Sequence, residues 1–326
     1  MTLDYDIPLE AFKQARARLA PYTRHTPIAP WPMLHNDAPA GLHLKLENLQ
    51  VVGSFKPRGV CNHMRQLAPE QRKLGVVAAS AGNHGLAVAY VARQLGIPAI
   101  IYLPQNATAD RVARIQAWGA VVVQYGATYD DAHKLAVEHA EAEGLTYVHS
   151  FDSDSTLAGH GTLALELLED VPEMDCLLVA VGGGGLIAGV SCALKKLNPQ
   201  IKIIGVEPLG APSMYESVKA GHLISLPEVK TIADTLATRS VAERTMVLTQ
   251  RYVDEIVLVS DNQIAAAMRW LWAECNQLVE PSGAAALAAS LYGAADMTPY
   301  QHPVALICGG NVPAEPILQA YENASH

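Results

Sequence analysis

Val76-Val77-Ala78-Ala79-Ser80-Ala81-Gly82-Asn83-His84-Gly85 is the stretch that decides the fold: a short apolar run gives way to small polar residues and then opens a helix-like segment. A strand of that length, followed by a helix at Gly85 to Leu95 and a second apolar run at Ala99 to Leu103, is the rhythm of a parallel βαβ unit. The alternation continues with a helix from Thr108 to Trp118, a strand at Val121 to Tyr125, a helix from Tyr129 to Glu143 and a strand at Tyr147 to Ser150. A second series has Leu177 to Val181, a helix from Leu186 to Leu197, a strand at Lys202 to Glu207, and later Ile256 to Ser260 and Val304 to Cys308. The pattern predicts an α/β protein with two parallel sheets sharing one cleft. In such sheets ligands gather where strands end, so the residues after each strand are the candidates for function.

Composition narrows the function classes. The chain has 326 residues, half of them hydrophobic, enough for two lobes or one large α/β domain. Its longest apolar runs are strand-length, far short of a membrane span. With 23 Lys and Arg against 32 Asp and Glu, the net charge of −9 argues against a nucleic-acid or anionic-membrane surface. Met1 to Leu9 show no basic segment leading into an apolar stretch, so no secretory signal and a cytoplasmic address are expected. Five scattered cysteines, Cys61, Cys176, Cys192, Cys275 and Cys308, imply no disulfide framework. No CxxC or HExxH spacing occurs, so a common zinc site is not expected.

Four segments carry chemistry. In Gly53-Ser54-Phe55-Lys56-Pro57-Arg58-Gly59, a lysine sits among small and turn-forming residues beside a second cation. Desolvation or the neighbouring charge of Arg58 would lower the Lys56 pKa and make its amine a nucleophile for a carbonyl cofactor. The competing reading is a solvated loop lysine. Ser80 to Gly85 can converge backbone N–H groups on a carboxylate at a helix start, or Ser80 or Asn83 can simply cap that helix. Gly182-Gly183-Gly184-Gly185-Leu186 offers bare amides to a phosphate. The same loop satisfies a loose dinucleotide fingerprint through Gly183, Gly185 and Ala188, with Glu207 near the place of a ribose-binding acid, so an NAD-dependent oxidoreductase stays open. Finally, Val304 to Asn311 is a buried-type strand ending in a glycine-rich turn, with Cys308 at its last inward position or as a small core residue.

Taken in order, these segments resemble the fold-type II pyridoxal-phosphate enzymes, and within them the serine/threonine dehydratase and serine racemase family. The resemblance runs from Arg24-His25-Thr26-Pro27 to Asn311 and includes Ala158-Gly159-His160-Gly161-Thr162 and Glu280-Pro281-Ser282-Gly283. It implies a tryptophan synthase β-like fold, with a large cofactor-binding domain from 1–70 and 152–326, a small mobile domain from 71–151, and the active site between them. It implies that Lys56 forms a Schiff base with pyridoxal 5'-phosphate and then acts as the catalytic base. Phe55 would pack near the cofactor ring, Asn83 would bond the ring hydroxyl, and Glu280 would lie beside the ring. Cys308 would stand at the ring nitrogen. The amides of Gly182, Gly183, Gly184, Gly185 and Leu186 would hold the phosphate, and Ser80, Ala81, Gly82, Asn83 and His84 the substrate carboxylate.

The same resemblance bears on activity. In the racemase pattern a second acid/base follows the first serine of the substrate loop, and here that position is Ala81, whose methyl group transfers no proton. The expected reaction is therefore dehydration of L-threonine or L-serine to a 2-oxo acid and ammonia, with 3-hydroxyaspartate, phenylserine and serine racemisation as alternatives. Thr235 stands where the family often has glycine near the substrate. A racemase-like site for Mg or another cation would use Glu207, the Ala211 carbonyl and Ser213, the last replacing an aspartate. A homodimer is expected, and no regulatory domain after Asn311. A non-catalytic amino-acid sensor is the remaining alternative.

Overall fold

A computed structural model describes residues 5–30, 39, 41–80 and 82–312. The chain begins with α1 (Leu9–Leu19), β1 (Ile28–Pro30), β2 (His43–Leu46), α2 (Lys56–Arg65) and α3 (Pro69–Leu74). A regular alternation follows: β3 (Val76–Ala79), α4 (Asn83–Leu95), β4 (Ala99–Leu103), α5 (Ala109–Ala117), β5 (Val121–Gln124), α6 (Tyr129–Glu143) and β6 (Thr146–Tyr147). Then come α7 (Asp154–Asp170), β7 (Cys176–Ala180), α8 (Gly185–Leu197), β8 (Lys202–Pro208), α9 (Ser213–Ala220), α10 (Glu243–Tyr252), β9 (Glu255–Val259), α11 (Asp261–Cys275), α12 (Pro281–Leu291) and β10 (Pro303–Ile307).

The expected two sheets are present. The smaller has the order β5-β4-β3-β6 and every pair in it is parallel. All four residues of β3 are buried, as a central parallel strand covered on both faces requires. Val76 and Ala78 face the α4 side, whereas Val77 and Ala79 face Ala132, Ala136 and Ala140 of α6. The larger sheet has the order β1-β2-β10-β7-β8-β9, antiparallel only between β1 and β2. The last strand among the described residues, β10, thus lies near the middle of the sheet. Its neighbour helix α12 is buried from Ser282 to Ser290, the mark of a helix enclosed in a core.

Two constraints bring the start of α2 to the ends of the central strands. The backbone of residues 53–55 pairs with residues 308–310: Phe55 N–H donates to the Cys308 carbonyl at 3.1 Å, and Gly310 N–H to the Gly53 carbonyl at 2.9 Å. One turn further on, the Arg58 guanidinium is buried between two carboxylates. Its Nε and Nη2 donate to Glu47 at 2.8 Å each, and its Nη1 and Nη2 donate to Glu166 at 2.6 and 2.9 Å. Lys45, also buried, extends the network to Asp170 at 2.7 Å and Glu166 at 3.2 Å. Burial works against the guanidinium charge, but Glu47 and Glu166 outweigh it and shift its pKa upward.

Removing one partner of such a network leaves uncompensated buried charge, a cost of about 3–5 kcal/mol. Arg58→Met is therefore expected to lower unfolding stability by about that amount in urea titrations. A loss below about 1 kcal/mol would contradict this account of how α2 is fixed.

Candidate active site

Lys56 is the first residue of α2, with Phe55 before it, rather than a residue of an open turn. Its side chain is half-buried and its Nζ donates to the Ser150 carbonyl at 3.2 Å, lying 5.0 Å from the centre of the Phe55 ring. Burial lowers its pKa to about 8, against the opposing influence of Cys308 and Glu280. The positive end of the α2 dipole works in the same direction as burial. Here the sequence expectation for Arg58 is corrected. Arg58 points into the Glu47–Glu166 network, where its charge is matched, and it is not the neighbour that activates the amine.

The Ser150 contact depends on a residue with no sequence signal of its own. His149 Nδ1 accepts the N–H of Phe151 at 3.2 Å and of Asp152 at 2.9 Å, which curls the chain after β6. This turn points the Ser150 carbonyl at Lys56 and sets Phe151 against the glycine loop. Burial lowers the His149 pKa to about 4, which keeps the accepting nitrogen unprotonated at neutral pH.

The glycine loop joins β7 to α8 and lines a cavity together with Phe55, Lys56, Asn83, Phe151, Thr235, Leu236, Glu280 and Cys308. A Cβ on Gly183 would lie 2.3 Å from the Phe151 ring. Gly184 has φ +84°, and a Cβ there would meet Met214 at 2.4 Å and Thr245 at 2.9 Å. Packing behind the loop thus demands glycine as firmly as the open front does. No side chain caps α8, so its first amides remain available to an anion. The start of α4 is likewise uncapped, in contrast to α6, α7 and α11, where Thr128, Ser153 and Ser260 cap the first turn. Neither Ser80 nor Asn83 is a cap: Gly82 holds that position, and Ser80 Oγ accepts the Gly82 N–H at 3.1 Å. Ala81 lies outside the described residues.

Opposite the glycine loop, Asn83 Nδ2 donates to Glu280 Oε1 at 2.6 Å, and Asn83 Oδ1 accepts from Asn311 Nδ2 at 2.6 Å. Arg114 Nη2 completes the chain by donating to Asn311 Oδ1 at 2.5 Å. Burial raises the Glu280 pKa to about 7, the Asn83 bond opposing it. Burial also pushes the Cys308 thiol well above its usual range, and its Sγ reaches the Ser282 carbonyl at 3.5 Å. His84 is buried with Nε2 donating to the Val148 carbonyl at 2.8 Å, and burial brings its pKa down to about 3. His160, from the Ala-Gly-His-Gly-Thr motif, packs edge-on against Phe55 with ring centres 4.9 Å apart.

Glu207 holds the start of a helix. Its carboxylate is fully buried and accepts N–H bonds from Met214 at 2.9 Å and Tyr215 at 2.7 Å, capping α9. Burial raises its pKa to about 8. The ribose-binding acid of the dinucleotide reading is therefore occupied elsewhere. Ala211 is buried nearby and Ser213 Oγ lies 3.2 Å from Thr238 Oγ1; no group of three or more His, Cys, Asp or Glu able to hold a metal stands among the described residues.

The structure brings Phe55, Lys56, Asn83, the glycine loop, Glu280 and Cys308 to one cavity, and adds Phe151 and Leu236 there and Asn311 behind Asn83. Phe151 left a faint signal, as one of only three phenylalanines in the chain, placed just after a strand end.

Comparison with known proteins identifies the family. Residues 19–309 match the model of the pyridoxal-phosphate dependent enzyme family. The L-threonine ammonia-lyase of Thermotoga maritima is 40% identical over 285 residues, covering 87% of this chain and 71% of that protein. A serine racemase of Oryza sativa subsp. indica is 37% identical over 312 residues, covering 94% and 92%. The solved structure of maize serine racemase superposes with a TM-score of 0.94 at 35% identity, covering 99% of each chain. The chain belongs to the pyridoxal-phosphate dependent enzymes, in the group that contains threonine dehydratases and serine racemases.

Proposed function

We propose that this protein is an ammonia-lyase that eliminates water from β-hydroxy amino acids, L-threonine and L-serine among them, and releases a 2-oxo acid and ammonia. The observation that carries elimination over racemisation is Ala81. Racemisation needs a proton carrier on the face of Cα opposite Lys56, and the residue at the racemase position for it is an alanine.

The cleft fits pyridoxal phosphate by the chemistry of its donors. An uncapped helix start behind bare glycines suits a phosphate, a lysine whose pKa burial brings to about 8 suits a carbonyl carbon, and a neutral thiol suits an unprotonated ring nitrogen. When bound, the cofactor supplies the carbonyl for Lys56 and an electron sink for the charge that develops at Cα.

The protein's own groups do the rest. In this reading the amides of Gly182 to Leu186 hold the phosphate, and Phe55 and Glu280 flank the ring. The amides at the start of α4, from Ser80 to His84, orient the substrate carboxylate. Asn83 is held in place by Glu280 and Asn311 and presents its amide to the ring hydroxyl. Lys56 takes the proton from Cα, and its low pKa leaves the amine free to do so near neutral pH. The unit from 71–151 moves against the rest as substrate enters, and Arg111–Asp234 and Arg114–Asn311 are the contacts it makes and breaks. Homodimeric assembly belongs to the reading on the resemblance alone.

Purified protein is expected to release 2-oxo acid and ammonia from L-serine or L-threonine with little D-serine. Lys56→Ala should lose both the activity and the cofactor absorption that borohydride bleaches. Ala81→Ser should increase D-serine formation. Release of D-serine by the unaltered protein at a rate matching oxo-acid formation would overturn the choice, and amino-acid binding without turnover would indicate a sensor.

The glycine loop gives a second test with a binding readout. A Gly183→Ala methyl must push Phe151 from its seat or shift the loop amides. The dissociation constant for pyridoxal phosphate, read by absorbance titration of the apoprotein, is expected to rise at least about tenfold. An unchanged constant would remove the loop from the cofactor site.

A further inference from the structure

We propose that Arg114, with Arg111 one turn before it on α5, forms a subsite for a second carboxylate, so that the preferred substrate is an acidic β-hydroxy amino acid such as 3-hydroxyaspartate. This inference rests on the lyase reading above and names its substrate class.

A second cavity adjoins the cofactor cavity. It is lined in part by Gly82, Asn83, Arg111, Arg114, Thr235 and Asn311, and the two cavities share Asn83, Thr235 and Glu280. They are two ends of one cleft, so a group attached beyond Cβ of a substrate has somewhere to go. Arg111 and Arg114 are spaced three apart on α5 and therefore lie on the same face.

Their charges are balanced differently. Arg111 donates to the Asp234 carboxylate at 2.5 Å, a full ion pair across the cleft. Arg114 donates to the neutral amide oxygen of Asn311 and makes no ion pair with a carboxylate of the described residues. Asp110, which is exposed, and Glu280, which is buried and held by Asn83, also line the cavity, and neither forms an ion pair with Arg114. In a protein of net charge −9, a cation directed into a cleft selects locally for an anion.

The α-carboxylate does not answer that charge in this reading, because the uncapped amides at the start of α4 take it. A second carboxylate does. Asn83 walls both cavities and Gly82 beside it lines the second, so the two anion sites stand side by side, as the two carboxylates of a four-carbon amino diacid do. Guanidinium binds carboxylate with two parallel charge-assisted bonds, whereas the methyl of threonine or the hydrogen of serine offers it nothing. Thr235 narrows the junction: its Cγ2 lies 3.3 Å from where a Cβ of Gly82 would be.

The test uses the holoenzyme and two readouts. The first is kcat/KM for 3-hydroxyaspartate, in each configuration, against L-serine and L-threonine. The unaltered enzyme is expected to prefer one form of 3-hydroxyaspartate, and Arg114→Gln to lower the ratio of kcat/KM for that diacid to that for L-serine by about fiftyfold. Arg114→Lys, which keeps the charge without the fork, should fall between them. The second readout is spectral binding of L-aspartate against L-alanine, neither of which carries a β-hydroxyl; aspartate should bind more tightly, and Arg114→Gln should remove the difference. If serine and threonine are eliminated but the diacid is not preferred, or if the ratio moves less than about threefold in Arg114→Gln, the subsite is wrong and the lyase reading stands. If no amino acid yields oxo acid while aspartate still binds through Arg114, the lyase reading is wrong and the subsite stands.

Discussion

Four hydrogen bonds from one buried guanidinium, two to Glu47 and two to Glu166, fix the direction in which α2 enters the cleft. Glu47 follows β2 and Glu166 lies on α7, so Arg58 ties together three elements that pack around the larger sheet. Two residues before it, Lys56 has no freedom to swing with the helix. The pairing of residues 53–55 with 308–310 adds a second hold from the carboxyl end of β10, where Cys308 stands. The charge network is thus a positioning device. Its two cations face three carboxylates, and no cation is left over to act on the lysine amine.

What acts on the amine is the loss of water. The same burial that lowers Lys56 to about 8 raises Glu280 to about 7, raises the Cys308 thiol further still and lowers His84 to about 3. Each group is moved toward its uncharged form, the expected direction for acids and bases removed from solvent. The cleft is a place where protons are held loosely by lysine and tightly by thiol. An uncharged thiol at the ring nitrogen and a readily deprotonated lysine at Cα are consistent demands on one dry cavity. The half-buried cations Arg111 and Arg114 of α5 lie outside this dry zone, at the other end of the cleft, where charge recognition rather than proton transfer is the available chemistry.

The sequence made legible what local pattern encodes. Strand β3 and the turn after it, the glycine run after β7 and the end of β10 all read correctly because each is a contiguous apolar run closed by small residues. The βαβ series from Val76 to Glu143 followed from the same alternation. Helices α7 and α12 were not legible, since burial on most sides erases the periodic polar face that announces a helix. The position of β10 between β2 and β7 was hidden as well, because strand order depends on long-range pairing. Arg58 was misread for the same reason: its partner Glu166 is 108 residues away. The chain from Arg114 through Asn311 and Asn83 to Glu280 joins residues separated by 197 and 228 positions, and no local motif encodes it. Glu207 shows the converse. Its place at the end of a strand suggested a ribose-binding acid, and folding gave its carboxylate to the amides of α9.

The central claim is that desolvation, not a neighbouring cation, makes Lys56 a reactive amine, and the rate at which the apoprotein captures pyridoxal phosphate as a function of pH tests it most directly. Because only the neutral amine attacks, and the pKa is lowered, the rate should rise with pH and level off above an inflection near 8. Lys56→Ala should show no such capture. An inflection near the ordinary lysine value of about 10.4 would contradict the account, since it would mean that the amine remains solvated in the cleft.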